Sequence, residues 1–282
     1  MAAKIIDGKD IAEQIRLEVK NKVKKLKSKP GLAVVVVGKN PASHVYVNMK
    51  EKACKEAGMY SEKYELDENT PEEKLLKLID DLNQNKKIHG ILVQLPLPGY
   101  INEQLIIDSI LPHKDVDGLS PLNLGNLFIG KNMIIPATPK GVIKLVESTG
   151  INIEGKHAVV IGRSNLVGKP VSILLQQRDA TVTMCHSKTK PLEEYTKQAD
   201  ILVVAAGKIG MITKKHVKKG AIVIDVGTNK LPDGRLCGDV DFDSVKEVAG
   251  YITPVPGGVG PMTIACLLEN TLECYDLCQR FF

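Results

Sequence analysis

The sequence contains no tryptophan, and its aromatic content is only 4%. Nucleic-acid-binding surfaces usually combine basic residues with aromatic side chains that stack on bases. The net charge of +5 is modest, and the lysines of residues 20–29 fall on the polar side of an amphipathic helical pattern. These features argue against a nucleic-acid partner and favour anionic small molecules as ligands.

Long apolar runs are also missing, since none approaches the roughly 18 residues that a membrane span needs. The first residues, MAAKIIDGKDIAEQI, lack the apolar segment of a secretory signal. The sequence has no C-x-x-C pair, and no histidines flank Cys274 and Cys278, so no metal site is predicted. We therefore expect a cytoplasmic protein with reduced cysteines and no membrane partner.

Apolar runs alternate with helical patterns along the 282 residues, which indicates an α/β fold of two domains. Several runs are continuous and rich in β-branched residues, as is typical of buried parallel strands. We predict an N-terminal α/β substrate domain over 1–138. A Rossmann-type, doubly wound parallel sheet is predicted over 139–261, with a cleft between the two domains.

Two helix starts can be predicted from local chemistry. Thr70 precedes Pro71 and two glutamates, a pattern in which the threonine side chain caps the helix and proline takes its first position. A last helix is predicted from Met262, directly after Pro261.

The segment AVVIGRSNLVGKP at 158–170 is the most informative in the chain. A buried strand enters a loop that contains Gly162 and Gly168, and a helix follows. Glycine lets phosphates approach the backbone, and the helix N-terminus offers N–H groups to an anion. The segment therefore predicts a dinucleotide site, although its glycine spacing is not G-x-G-x-x-G. An ordinary strand–loop–helix crossover is the alternative.

The next strand, 180–185, ends in His186-Ser187-Lys188 and carries no acid. Sites for NAD usually place Asp or Glu there to bind the ribose 2′-hydroxyl. A 2′-phosphate would be repelled by a carboxylate and bound by Arg163 and Ser187. We therefore predict NADP as the cofactor; the alternative is that these are ordinary solvated loop residues.

In the first half, Tyr46 and Lys50 are four residues apart and share one helical face. A lysine desolvated beside a tyrosine has a lowered pKa and can exchange protons near neutral pH. A solvated pair is the alternative. Short-chain dehydrogenases use the same spacing after their glycine loop, but here the pair precedes the loop, which excludes that family.

Polar residues follow the apolar run that begins at Gly90. Gln94 would lie at the carboxyl edge of a parallel sheet, where ligands bind in this architecture. Asp115 and Asp117 precede Gly118, which suggests either a turn or a ligand site. A carboxylate can grip the N–C–NH₂ edge of a heterocycle, whereas the ligands are too few to indicate magnesium.

The segment YITPVPGGVGPMT at 251–263 has an unusual composition. Its prolines stiffen an extended entry and its glycines expose the backbone just before a helix. This composition favours a loop that contacts a ligand.

Together these segments resemble the bifunctional methylenetetrahydrofolate dehydrogenase/cyclohydrolase family, from end to end and in the same order. The matching segments are VGKNPASHVYVNMKEKACKEAGM, GILVQLPLP, HKDVDGLSPLNLG, PATPKGV, VVIGRSNLVGKP, CHSKT, ADILVVAAGK, GAIVIDVGTN, GDVDF and ITPVPGGVGPMT. The resemblance implies oxidation of 5,10-methylenetetrahydrofolate with NADP⁺ and hydrolysis of the methenyl product to 10-formyltetrahydrofolate in one shared site. It also implies a homodimer joined through the cofactor domains and a final helix, 262–282, that returns to the first domain.

The resemblance also assigns roles to residues. Lys50 would act in the water-addition step, Tyr46 would stack on the folate, and Gln94 would hold the charge state of the lysine. Asp117 would bind the pterin edge. The implied catalytic residues are Lys50, Tyr46, Gln94 and Asp117. The implied substrate-binding residues are Tyr46, Lys50, Val93, Gln94, Leu95, Asp117, Pro256, Gly257, Gly258 and Val259. The implied cofactor-binding residues are Gly162, Arg163, Ser164, Ser187 and Thr228; only Thr228 departs from the family, which often has an aliphatic residue there.

Three other functions remain open from the sequence. A shikimate-dehydrogenase-like NADP oxidoreductase would also join an α/β substrate domain to a cofactor domain, but it would have no hydrolase activity. A catalytically silent NADP-binding sensor would not need Lys50, Gln94 and Asp117 together. An enzyme that retained only one of the two activities is the third, whereas we predict both.

Overall fold

The structure is a computed structural model that describes residues 2–131 and 133–281. These residues form two compact units, each built around a parallel sheet. The three-stranded unit comprises residues 13–137 and 264–281, and the six-stranded unit comprises residues 2–12 and 138–263. The predicted two-domain α/β fold with a doubly wound parallel sheet is confirmed.

The strands are β1 (Lys4–Ile5), β2 (Gly31–Val37), β3 (Tyr60–Leu66), β4 (Gly90–Val93), β5 (His157–Ile161), β6 (Thr181–Cys185), β7 (Ile201–Val204), β8 (Ile222–Asp225), β9 (Asn229–Lys230), β10 (Leu236–Cys237) and β11 (Tyr251–Ile252). The helices are α1 (Gly8–Val23), α2 (Pro41–Glu56), α3 (Glu72–Gln84), α4 (Glu103–Asp108), α5 (Pro121–Phe128), α6 (Ala137–Glu147), α7 (Gly168–Gln176), α8 (Leu192–Thr196), α9 (Phe242–Val245) and α10 (Val259–Phe281), and a 3-10 turn covers Lys214–His216. None of the helices in the described part of the chain has both the length and the apolar content needed to cross a membrane.

In the three-stranded unit, β2 lies between β3 and β4 and pairs in parallel with both. Every residue of β2 and of β4 is buried, because both strands are continuous apolar runs that pack on two faces. The C-terminal part of α10 belongs to this unit. There the side-chain amide of Asn270 donates to the carbonyls of Val116 and Ile135, both at 2.8 Å. This buried amide fixes the loop that precedes Asp117.

The six-stranded sheet has the order β1-β11-β8-β7-β5-β6, and every pairing is parallel. The chain passes from β5 to β6 on one side and then returns to β7 on the other. The strand order therefore reverses at β5, and the carboxyl ends of β5 and β7 form the topological switch point at which such sheets bind ligands.

The start of the chain differs from the predicted division, which placed residues 1–138 in one domain. Lys4 pairs with Tyr251 and Ile5 with Ile252 at the edge of the six-stranded sheet. A Cβ on Gly8 would lie 2.0 Å from the carbonyl oxygen of Gly258. Residues 2–12 therefore pack with the six-stranded unit, and two residues of strand were too short a pattern to predict this.

Both predicted helix starts need correction. Pro71 occupies the N-cap position of α3 and no side chain caps the helix, while the N–H of buried Thr70 donates to the carbonyl of Asp67 at 3.0 Å. The last helix begins at Val259, so Pro261 lies inside its first turn, where no intrahelical N–H bond is lost.

Candidate functional site

Lys50 lies on α2 of the three-stranded unit and is only 7% exposed. Its Nζ donates a hydrogen bond to Oε1 of Gln94 at 3.0 Å. Gln94 follows β4, and its backbone N–H donates to the carbonyl of Val35 at 2.8 Å, which continues the β2–β4 pairing. Its Nε2 donates to the carbonyl of Leu95 at 2.7 Å. The amide is therefore fixed with its oxygen toward the lysine.

Asp117 is the acid that interacts electrostatically with Lys50. Burial raises the pKa of the half-buried Asp117 carboxyl, and the positive charge of Lys50 opposes that rise. Burial likewise lowers the pKa of Lys50, and the negative charge of Asp117 opposes the fall. Each group favours the charged form of the other. For Lys50 the effect of burial is the larger of the two, so its pKa is lowered, and at neutral pH a larger fraction of the amine is neutral and available to accept a proton than in a solvated lysine.

The other charged residues of the same loop serve its structure. Lys114 is buried, and its ammonium donates to the carbonyls of Leu82, Asn83 and Asn85 at 3.2, 2.7 and 3.0 Å. Buried Asp115 accepts the N–H of Ser120 and the side-chain amide of Asn123, at 2.7 and 3.0 Å.

The turn that follows Asp117 is imposed by Gly118. Its φ of +65° is left-handed, and a Cβ there would lie 2.9 Å from the backbone nitrogen of Pro136. The sequence suggested either a turn or a ligand site for this loop. Asp115 and Gly118 fix the turn, whereas Asp117 is the acid that interacts electrostatically with Lys50.

Three further predicted substrate residues belong to the same unit. Tyr46 is half-buried and lies one turn before Lys50 on α2. Val93 ends β4 and is buried, and Leu95 is half-buried directly after Gln94. The fold of this unit thus brings the lysine, the amide and the aspartate together, with the tyrosine one helical turn along.

The predicted dinucleotide loop follows β5 in the six-stranded unit. Gly162 has a φ of +122°, and a Cβ on it would lie 2.3 Å from the carbonyl oxygen of Ala205, just after β7. A Cβ on Gly168, the first residue of α7, would lie 2.1 Å from the carbonyl oxygen of Gly162. The loop therefore closes tightly at the switch point, and only glycine fits either position.

The remaining predicted cofactor residues follow the carboxyl ends of neighbouring strands. Arg163 and Ser164 follow β5, Ser187 follows β6 and Thr228 follows β8, and all four are exposed. Because parallel strands end at one edge of a sheet, these side chains and the tight glycine loop share that edge. The arrangement suits a phosphate-bearing ligand, with an arginine and hydroxyl groups as donors.

Residues 254–258, the proline–glycine loop, also belong to the six-stranded unit. Pro256 is exposed, Gly257 has a φ of +117°, and Val259 begins α10. A Cβ on Gly258 would lie 2.7 Å from both the carbonyl oxygen of Pro254 and Cβ of Thr253. The glycines thus permit a close fold of the backbone that no other residue type would allow.

The sequence interpretation missed two buried acids of this unit, Asp225 and Asp239. Both accept several backbone N–H groups at the same sheet edge. A signal was present, because Asp225 ends an apolar strand and Asp239 lies in the GDVDF segment beside Gly238. Across residues 2–131 and 133–281, no three His, Cys, Asp or Glu side chains form a group that could hold a metal ion.

The chain matches known proteins over nearly its whole length. Two family models match it: the catalytic domain of tetrahydrofolate dehydrogenase/cyclohydrolase over residues 6–117 and the NAD(P)-binding domain of the same enzyme over residues 136–279. The bifunctional protein FolD of Brevibacillus brevis is 58% identical over 275 residues, which cover 96% of this chain and 97% of that protein.

Solved structures agree with the sequence matches. A crystal structure of FolD, a methylenetetrahydrofolate dehydrogenase/cyclohydrolase from Campylobacter jejuni, has a TM-score of 0.96 and 50% identity, covering 98% of this chain and 99% of that one. The Trypanosoma brucei enzyme, complexed with NADP and an inhibitor, has a TM-score of 0.94 and 40% identity, covering 99% of each chain.

A more distant likeness bears on the alternative raised from the sequence. Shikimate 5-dehydrogenase of Thermus thermophilus has a TM-score of 0.54 and 14% identity, covering 89% of this chain and 100% of that one. This likeness extends to the fold alone, so it does not favour a shikimate-dehydrogenase-like activity.

Proposed function

Because the chain belongs to the tetrahydrofolate dehydrogenase/cyclohydrolase family, we propose that it catalyses two successive reactions on a folate. It oxidises 5,10-methylenetetrahydrofolate to the 5,10-methenyl cation with NADP⁺ and then hydrolyses that cation to 10-formyltetrahydrofolate. The observation that carries the proposal is the hydrogen bond between buried Lys50 and Gln94, with Asp117 as the coupled acid. Together these residues set the position and the pKa of the Lys50 amine for the hydrolytic step.

Hydrolysis is the step that needs a proton acceptor. Water adds to the methenyl carbon and loses one proton to give a neutral carbinolamine. N5 then gains a proton as the bond from the carbon to N5 breaks, and the hydroxyl loses its proton to become the carbonyl of the formyl group on N10, so that one proton is released overall. The Lys50 amine is suited to take the proton, because burial lowers its pKa and so increases the fraction of neutral amine. The fixed Gln94 oxygen accepts a hydrogen bond from the lysine and so holds the nitrogen in position.

Binding of the folate is assigned to the same unit. Asp117 can accept hydrogen bonds from the N–C–NH₂ edge of the pterin. Tyr46 can stack on the ring system, with Val93 and Leu95 as apolar neighbours of Gln94. From the six-stranded unit, Pro256, Gly257, Gly258 and Val259 are proposed to contact the folate and the nicotinamide.

The tight loop at Gly162 and Gly168 fits a dinucleotide, since it leaves backbone where side chains would block phosphates. When bound, NADP⁺ supplies the hydride acceptor. Gly162, Arg163 and Ser164 would hold the phosphates, Ser187 and Arg163 the 2′-phosphate, and Thr228 the nicotinamide half. The oxidation needs no protein base, because the adjacent nitrogen lone pairs stabilise the cation, so the protein contributes chiefly positioning.

A paired assay tests the proposal. The purified protein should form NADPH and methenyl product from 5,10-methylenetetrahydrofolate and NADP⁺, with NAD⁺ as the parallel test. The same preparation should accelerate hydrolysis of supplied methenyltetrahydrofolate above the uncatalysed rate. Formation of NADPH without accelerated hydrolysis would leave a dehydrogenase only. Cofactor binding without either reaction would indicate a sensor.

A homodimer joined through the six-stranded unit is part of the proposal. Support comes from β6, which forms one end of the strand order in that sheet and so presents an edge suited to further pairing. Light scattering at assay concentration should give twice the mass of one chain, whereas the mass of one chain would contradict the dimer.

A cytoplasmic location is the last part of the proposal. None of the six cysteines, all of which lie in the described part of the chain, forms a disulfide, as expected in a reducing compartment. Fractionation of source cells should find the protein with cytoplasmic markers, and recovery with secreted proteins would oppose this.

A further inference from the structure

Two buried carboxylates lie at the carboxyl edge of the six-stranded sheet, and none of the roles assigned so far uses them. Asp225 ends β8 and is 3% exposed, and Asp239 is 0% exposed. The backbone N–H of Asp239 donates to Oδ1 of Asp225 at 3.0 Å, so the acids form one cluster. Burial raises the pKa of Asp225 to about 6 although three backbone N–H groups favour its anion. Burial of this carboxylate therefore costs free energy of folding.

Asp239 binds the loop that follows β7. Its Oδ2 accepts the N–H groups of Ala206 and Gly207 at 2.7 and 2.8 Å, and its Oδ1 accepts that of Lys208 at 2.8 Å. Oδ1 also accepts the side-chain amide of Asn229 at 2.9 Å, from the segment that follows β8. One carboxylate thus joins the loops of two adjacent strands.

Asp225 binds two further segments. Its carboxylate accepts the N–H groups of Gly227 and Val240 at 3.0 and 2.9 Å. Its own N–H donates to Oγ1 of Thr253 at 2.8 Å, directly before the proline–glycine loop. The cluster therefore reaches three loops: the ones after β7 and β8, and the entry to the proline–glycine loop.

Two glycines show that these loops are shaped around the acids. A Cβ on Gly227 would lie 2.4 Å from Oδ1 of Asp239, and a Cβ on Gly238 would lie 1.8 Å from Oδ2 of Asp225. Any other residue type would displace a carboxylate. The positions of the two carboxylates thus require glycine at both residues.

The loops held by the cluster adjoin the proposed dinucleotide residues. Thr228 lies between Gly227 and Asn229, and each of those neighbours is bonded to one of the acids. The carbonyl of Ala205, which leaves no room for a Cβ on Gly162, immediately precedes the N–H groups that Asp239 accepts. Loss of the hydrogen bonds to Asp239 would therefore alter the backbone near Gly162 and near Thr228.

We propose that Asp239 is a positioning residue for the dinucleotide, holding the loops after β7 and β8 in the shape that the cofactor meets. The inference rests on the proposed function for the identity of the cofactor. Asp239 makes no contact with the ligand itself and acts through the backbone of residues 206–208 and the side chain of Asn229.

The test is calorimetric binding of NADP⁺ to the full chain with Asp239→Asn. The isosteric amide replaces one acceptor oxygen by a donor that faces N–H groups. Dissociation constants should rise roughly tenfold or more, as expected when charge-assisted hydrogen bonds are lost. Cofactor-free hydrolysis of methenyltetrahydrofolate should stay near the wild-type rate, because Lys50, Gln94 and Asp117, to which the hydrolytic step is assigned, belong to the three-stranded unit and make no bond to Asp239. A merely structural role would lower the melting temperature and the hydrolysis rate together.

Asn229→Ala is the second variant, since it removes a single bond to Asp239 from a half-buried position. It should weaken NADP⁺ binding severalfold and leave hydrolysis intact, and it decides the matter if Asp239→Asn does not fold. Asp241→Asn is the matched control, because that residue is exposed and its side chain makes no capping hydrogen bond although it occupies the N-cap position of α9. It should bind NADP⁺ like the wild type.

Unchanged NADP⁺ binding in folded Asp239→Asn, or in Asn229→Ala, would overturn the positioning role. Failure of the proposed function gives a different result. In that case the wild-type protein would lack the paired activities, while binding of NADP⁺ to wild type and variants would still test the role of Asp239.

Discussion

The ammonium of Lys50 donates to the side-chain oxygen of Gln94 at 3.0 Å, although the two residues are 44 positions apart. The contact exists because α2 follows β2, and β2 pairs with β4, whose end carries Gln94. A neutral acceptor at this position leaves the pKa of the lysine to be set by burial and by Asp117. A substitution that places a charge at position 94 should therefore change the pKa of Lys50.

Substitution of Gln94 should move the pH profile of the cyclohydrolase reaction in opposite directions. In Gln94→Glu, a carboxylate beside the ammonium raises the pKa of Lys50, so the rise of kcat with pH should shift to higher pH. In Gln94→Leu, loss of the acceptor favours the neutral amine, and the rise should shift to lower pH. After subtraction of the uncatalysed rate, shifts in the same direction would contradict the role of Gln94.

Substitution of Arg163 by Ala should discriminate between the two nicotinamide cofactors. Loss of a charged donor to the 2′-phosphate should raise KM for NADP⁺ by roughly 10- to 100-fold, and KM for NAD⁺ much less. Arg235→Ala is the control, because it removes the same charge from an exposed side chain of the same unit. Equal effects of Arg163→Ala on both cofactors would remove the 2′-phosphate argument.

Substitution of Gly162 by Ala should cost both stability and cofactor binding. The residue has a φ of +122°, and the added Cβ would lie 2.3 Å from the carbonyl oxygen of Ala205. Gly125→Ala is the contrasting change, since that glycine lies within α5 and a Cβ there meets nothing within 4 Å. It should stabilise by about 0.5–1 kcal/mol. Melting temperatures that change equally in both variants would show that Gly162 is not constrained.

The stability of the three-stranded unit should depend on the protonation of His89. Burial, aided by the positive charge of Lys114, lowers the pKa of His89 from 6.5 to about 4. Its Nδ1 accepts the N–H of Gly31 at 2.9 Å, so the folded state requires the neutral ring. The unfolded chain takes up a proton near pH 6.5 and the folded chain only near pH 4. Stability is therefore fully present above pH 6.5 and is lost as the pH falls toward 4.

A comparison with His89→Gln isolates this contribution from other titrating groups. The difference in unfolding free energy between wild type and variant should change by about 2–3 kcal/mol from pH 7 to pH 4, in favour of the variant at low pH. A difference that is independent of pH would show that the imidazole is not held neutral.

The sequence was sufficient to predict the fold class and the central strands. Continuous β-branched runs such as Gly31–Val37 have one plausible environment, a strand buried on both faces. Short elements were not predictable in this way. Helix α5 (Pro121–Phe128) contains a glycine and polar residues that obscure its pattern, and the two-residue strand Lys4–Ile5 is defined only by its partner Tyr251–Ile252.

The site residues likewise differ in how much of their role is specified by local sequence. Gly162 could be identified because a glycine at the end of a buried strand has a local meaning. The pairing of Lys50 with Gln94 depends on strand register, so the sequence alone could only suggest it through resemblance. Most of the bonds that Asp225 and Asp239 accept from other loops, such as those from Ala206 and Val240, are non-local. No spacing in the sequence specifies them.

The most direct test of the central claim is the rate of methenyltetrahydrofolate hydrolysis by the Lys50→Met enzyme. Methionine fills the buried position without an amine that could exchange a proton. Hydrolysis is expected to fall to the uncatalysed rate, while folate binding is largely retained and can be measured on the same preparation. Hydrolysis at a near wild-type rate would contradict the role of Lys50 and the mechanism built on it.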